Sequence, residues 1–119
     1  MQELNNKTTK IGRFTDLIVW KKGHAFTVEV YRITKSFPKE ELFGLINQLR
    51  RAAVSFTSNI AEGFYRNSQK EKIQFYFISL GSLREIENQL LVARDVGYLP
   101  EDKYNELEMD LLRRSNLVF

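Results

Sequence analysis

The stretch from 44 to 66, GLINQLRRAAVSFTSNIAEGFYR, holds the richest run of chemistry-bearing side chains in the sequence. At the spacing of an α-helix, Gln48, Arg51, Ser55, Ser58, Asn59, Glu62 and Arg66 line one side, while Leu42, Leu45, Leu49, Ala53, Phe56 and Ile60 line the other. Serine and asparagine are poor helix formers because their side chains compete for backbone hydrogen bonds. A merely solvated face would carry Glu, Lys or Gln instead, so this stripe reads as a polar contact surface. Ser55, Asn59 and Glu62 are expected to form a polar network within it. Glu62 also invites a reading as a general base, with hydroxyls one or two turns away. An ion pair to Arg66 at i+4, with a hydrogen bond to a neighbouring helix, is the favoured alternative.

Little else in the sequence resembles a catalytic constellation. The one histidine, His24, falls in an apolar stripe beside Trp20 and Val28, where a structural imidazole is expected rather than a base. With no cysteine there is no thiolate nucleophile, disulfide or thiolate metal site, and a reducing, cytoplasmic setting is expected. No HExxH or Glu-x-x-His spacing is present, and the glycines are scattered rather than gathered into a phosphate loop. The expectation is a protein that is not an enzyme, with no cofactor, no metal and no small-molecule substrate. No apolar run is long enough to span a bilayer, so no membrane partner is expected.

Binding is better supported. The net charge is only +3, but Lys7 to Arg84 carries 14 Lys/Arg against 6 Asp/Glu, whereas Glu85 to Phe119 carries 4 against 8. An anionic partner for the first half is one reading; neutralisation within the bundle or between subunits is the other. Lys21, Lys22, Arg50, Arg51, Arg66, Lys70 and Lys72 are the candidate phosphate contacts, with Tyr65 placed to stack on an unpaired base. Nothing matches a recognition helix, zinc finger or RNA-recognition sheet.

These residues need elements to position them. Residues 1 to 13 are polar and aperiodic and read as a disordered basic arm, leaving 14 to 119 as one domain. The first helix is expected from Thr15 or Asp16, with Phe14 stapled to Val19. It bears two apolar stripes, one through Leu17, Trp20, His24, Val28 and Tyr31, the other through Val19, Gly23, Phe26, Val30, Ile33 and Phe37. Pro38 suits the first position of a second helix, with Glu40 and Glu41 in its first turn. Ser68 and Glu71 have the spacing of a capping box for a third helix over 69 to 96, for which a strand through QFYFISL is the weaker competitor. Gly97 ends it and Pro100 opens a fourth. Short turns near 36 to 38, 64 to 68 and 97 to 100 favour antiparallel neighbours, so the fold class is all-α, an antiparallel up-and-down four-helix bundle. Two stripes on the first helix and apolar residues all round the third exceed what a monomer buries. Phe26, Val30, Phe75 and Ile78 are therefore expected at a homo-oligomer interface.

The segment QLRRAAVSFTSNIAEGFYRNS, flanked by FTDLIVWKKGHAFTVEVYRITKSFPKEELFGL and SLGSLREIENQLLVARDVGYL, resembles the bacterial four-helix-bundle proteins encoded in intervening sequences of large-subunit (23S) ribosomal RNA genes. Thr57 departs from that family's pattern, which has proline before Ser-Asn, and a kink there is in doubt. The resemblance implies a bundle that assembles with a basic surface, a pentamer by some members. It favours structured RNA such as rRNA as partner. A similar bundle serves as the accessory subunit of reverse transcriptases in diversity-generating retroelements. A protein-interaction scaffold that docks such an enzyme is thus the alternative to RNA binding.

Overall fold

The computed structural model describes residues 12–118, so the first eleven residues of the expected arm lie outside the described region. Four helices follow one another: α1 (Ile18–Thr34), α2 (Leu45–Phe64), α3 (Gln69–Asp95) and α4 (Glu101–Val118). Two 3₁₀ turns, Phe14–Asp16 and Lys39–Glu41, precede α1 and α2, and no strand occurs among the described residues. The aromatic run QFYFISL lies wholly inside α3.

The boundaries of α3 rest on local chemistry. Ser68 Oγ accepts the Glu71 N–H at 3.1 Å and caps the first turn. At the other end Gly97 takes φ 90, and the Tyr98 N–H reaches back to the Ala93 carbonyl at 2.8 Å, a Schellman closure.

Two helix starts differ from the sequence expectation. Asp16 does not open α1: its carboxylate accepts the N–H groups of Gly12 and Arg13 at 3.3 and 3.1 Å and closes the 3₁₀ turn, after which Leu17 is extended. Phe14 packs edge-on to Trp20 and Tyr65 at 5.3 and 6.2 Å. Likewise Pro38 precedes the 3₁₀ turn and α2 begins only at Leu45. There Glu41 replaces a conventional cap, its Oε1 accepting the Leu45 N–H at 3.1 Å while Oε2 accepts the Tyr98 hydroxyl at 2.9 Å.

Residue pairs define how the helices meet. Gly23, Thr27 and Thr34 of α1 lie against Phe56, Ala53 and Arg50 of α2, so numbers rise on one helix as they fall on the other. The same holds between α2 and α3, where Gly63 meets Tyr76, Phe56 meets Ser79 and Ser55 meets Ser82. Lys103 of α4 pairs with Glu29 of α1 at 2.7 Å. Val30, Leu49, Phe56, Ile60, Ile86, Leu90 and Leu107 form the fully buried centre.

Phe26 and Val30 belong to that core, at 4% and 0% exposure, and so cannot form the expected interface with another copy. Of α1's two stripes, the one through Gly23, Phe26, Val30 and Phe37 is spent inside the chain. Phe75 is half-buried beneath the Arg66 guanidinium, 4.7 Å from its ring centre, and only Ile78 of the four is open, at 51%. The first half of α3 is also less enclosed than its composition suggests, since Ile73 and Phe77 are exposed. α2 runs unbroken through Thr57, whose hydroxyl donates to the Val54 carbonyl within the helix.

Candidate nucleic-acid interface

The start of α1, the end of α2 and the start of α3 meet at one end of the bundle. The contact of Phe14 with Tyr65 and that of Lys72 with the last carbonyls of α2 hold them there. Lys21, Lys22 and Lys70 are exposed at this end, and no acid pairs with them among the described residues. Two further candidates have structural duties. Lys72 Nζ donates to the carbonyls of Gly63 and Phe64 at 3.2 and 2.6 Å, neutralising the negative end of α2. Arg66 bridges the Glu62 carboxylate and the Phe75 ring, and its Nε is buried without an acceptor. Both remain cationic and add to the field of this end. Tyr65 is 56% exposed, with its hydroxyl accepting the Phe14 N–H at 3.3 Å. The nearby Tyr76 phenol is pushed above its ordinary range by burial.

Arg50 and Arg51 stand apart from this group. They precede Tyr65 by four turns of α2, about 20 Å along the helix, and so belong to the opposite half of the bundle. Arg50 is a tie between helices: its Nε donates to Thr34 Oγ1 at 2.9 Å and its guanidinium lies 4.6 Å over the Tyr31 ring. Arg51 is exposed and lines a groove of about 380 Å³ between α2 and α3, with Gln48, Ser55, Glu85 and Gln89. The eight predicted contacts thus fall in two places rather than on one face.

The polar network also differs in membership. Asn59 Nδ2 donates to the Ser55 carbonyl and hydroxyl at 2.8 and 3.2 Å, and Ser82 of α3 donates to Ser55 Oγ at 3.0 Å. Glu62 is not joined to it. It makes the i+4 pair with Arg66 instead. Ser82 and the buried Ser79, which donates to the Phe56 carbonyl at 3.0 Å, were not singled out from the sequence. Small polar residues at i, i+3 within an apolar helix were the available signal. His24 is exposed rather than set in the core, and its ring stacks on Trp20 with centres 4.7 Å apart and planes 14° from parallel.

Among the described residues no group of His, Asp or Glu is arranged to hold a metal, and no helix is long and apolar enough to cross a membrane.

Residues 15–118 match the family model described as 23S rRNA-intervening sequence protein. No curated protein matches the chain. Among solved structures, a protein with unknown function from the S23 ribosomal protein family of Bacteroides thetaiotaomicron VPI-5482 is similar, with 24% identity and a TM-score of 0.78. The match covers 85% of this chain and 91% of that one, and at such identity it speaks for the fold alone.

Proposed function

The chain belongs to the 23S rRNA-intervening sequence protein family, and from that premise we propose that it is a non-catalytic, cytoplasmic protein that binds nucleic acid, with structured RNA such as rRNA as its ligand. The observation that carries this reading is the cluster of cations where α1, α2 and α3 meet. Among the described residues Lys21, Lys22 and Lys70 pair with no acid, and Arg66 and Lys72 lie at the same end of the bundle. Unpaired lysines on α1 and α3, either side of the end of α2, suit a chain of phosphates, whose neutralisation needs no sequence motif. Four phosphate contacts would weaken binding to paired RNA on the order of 100-fold between 50 and 200 mM salt.

The test is binding of a labelled ribosomal RNA fragment at those two salt concentrations, with Lys21→Glu/Lys22→Glu/Lys70→Glu as the comparison. Loss of affinity in the triple variant and a shallower salt slope support the reading. Equal affinity for parent and variant overturns it. Charge reversal at Arg50 is the wrong probe, because it would break the tie from α2 to Thr34.

The finer architecture we propose is an antiparallel up-and-down bundle that self-associates. The opposed numbering of paired residues supports the first part. The second now rests on Ile18, Phe77 and Ile78, each more than half exposed, rather than on Phe26 and Val30. A pentamer is the size that the family resemblance implies, and light scattering against the 14.0 kDa chain mass decides it. One feature favours a second reading, a scaffold that docks a protein such as a reverse transcriptase. Phe43 is 89% exposed, next to an apolar groove walled by Phe37, Leu42 and Ile46. Salt-insensitive or absent RNA binding would select that reading.

A further inference from the structure

Aromatic rings gather at the same end of the bundle as the unpaired lysines. The 3₁₀ turn lays Phe14 edge-on to both Trp20 and Tyr65, and Phe64 meets Tyr65 edge-on at 4.8 Å. Trp20 is half-buried and packs against the core, which fixes its plane. His24, one turn further along α1, lies nearly parallel on it. His24 itself is exposed, and no second ring among the described residues lies against it. The result is a two-ring stack ending in solvent, with a second exposed ring, Tyr65, on the far side of Phe14.

Such an arrangement offers open π-faces to a planar ligand, and its surroundings select what that ligand is. Lys21 is exposed on the turn of α1 that joins Trp20 to His24, and Arg66 follows Tyr65. Two acids at this end are already engaged: Asp16 accepts two backbone N–H groups, and Glu62 pairs with Arg66. A ligand that is planar, apolar on its faces and joined to phosphate meets all of these conditions. A nucleotide whose base is free of pairing does so; a base within an A-form duplex does not, because its faces are occupied by its neighbours.

We infer that unpaired bases of the bound RNA stack on His24, over Trp20, and on Tyr65, while Lys21 and the other cations of this end take the neighbouring phosphates. This inference rests on the RNA-binding reading above and assigns its ligand: single-stranded loops or ends rather than continuous duplex. Every base has a π-face, so the preference is for unpaired structure and not for a sequence. Each stacked base lost should weaken binding roughly 5- to 100-fold.

The experiment titrates the full chain with two RNAs of equal length and charge, a single strand free of secondary structure and a perfectly paired duplex. Trp20 is the only tryptophan, so its fluorescence reports contact at the stack directly. The expected result is tighter binding of the single strand, with quenching of Trp20 that the duplex does not produce. His24→Ala should reduce single-strand affinity by about tenfold or more while leaving duplex affinity unchanged, and His24→Tyr, which keeps a ring in place, should restore it. His24 is exposed, so both variants should fold, and a thermal melt checks that they do. Equal affinity for the two RNAs, or a His24→Ala variant that binds the single strand as tightly as the parent, overturns the inference alone. Failure of both RNAs to bind overturns the RNA-binding reading and this inference with it.

Discussion

Replacing Gly23 by alanine sets two effects of similar size against each other, and the geometry decides which wins. In the interior of a helix, alanine is favoured over glycine by about 0.8–1.0 kcal/mol. At Gly23, however, an added Cβ would fall 2.4 and 2.9 Å from two ring carbons of Phe56 and 3.2 Å from Thr57 Cγ2. Carbon atoms pack comfortably at about 3.5–4 Å, so roughly 1 Å of relief is required. Phe56 is 1% exposed and has nowhere to turn, so α1 and α2 must move apart or the ring must leave its rotamer. Overpacking of this kind costs about 1–3 kcal/mol, and against the helix gain the net expectation is a loss of up to about 2 kcal/mol. Gly81 is the control. It lies inside α3 with nothing within 4 Å of an added Cβ, so Gly81→Ala keeps only the helix gain and should stabilise by about 0.5–1 kcal/mol. Urea denaturation at a fixed protein concentration measures both, and the midpoints should move in opposite directions. In a Phe56→Leu background Gly23→Ala should cost less than in the parent, because the smaller side chain vacates the contact. If Gly23→Ala raises the midpoint as Gly81→Ala does, the close approach of α1 to α2 is wrong.

Two further outcomes follow from the polar contacts. Lys103 donates to Glu29 at 2.7 Å and, with Arg32, holds the Glu29 carboxyl below its ordinary value of 4.5, while Lys103 is itself pushed up. A carboxyl lowered by folding contributes stability that is present above pH 4.5 and lost as pH falls through the lowered value. Acid denaturation followed by circular dichroism should therefore show Glu29→Gln flattening the acid limb, by less than about 1 kcal/mol for so accessible a pair. Ser68→Ala should cost about 0.5–2 kcal/mol in the same urea assay, through loss of the α3 cap, and Ser68→Asp should restore most of it.

How far the sequence disclosed the structure varies by element. The start of α3 and its glycine end were legible because a cap and a Schellman turn are local, each fixed by residues within a few positions. The starts of α1 and α2 were not. Asp16 and Pro38 carry the usual signals, but Asp16 was taken by its own turn and Glu41 capped α2 from the 3₁₀ turn that follows Pro38. The Glu62–Arg66 pair was readable at i+4. The burial of Phe26 and Val30 was not, since two apolar stripes on one helix do not say which faces inward. Gly23 in the second stripe held that information, because only there can the backbone of α1 approach Phe56 so closely. For the candidate site, composition and spacing found the cations but not their division between two halves of the bundle. Arg50 looks like any surface arginine until Thr34, sixteen residues earlier, is seen to receive it.

The seam between α2 and α3 bears on the time course of folding. It is the most extensive helix contact in the chain, joined by a turn of only a few residues and tied by Lys72 at its mouth and by Ser79 and Ser82 further along. Its partners are near in sequence, so little loop entropy opposes their meeting, and this hairpin should nucleate the rest. During synthesis α1 emerges first, yet its buried stripe has nothing to pack on until α2 follows. α4, added last, rests on the assembled face and should be the first element to open in native-state hydrogen exchange, while amides around Phe56 and Ile86 exchange only with global unfolding.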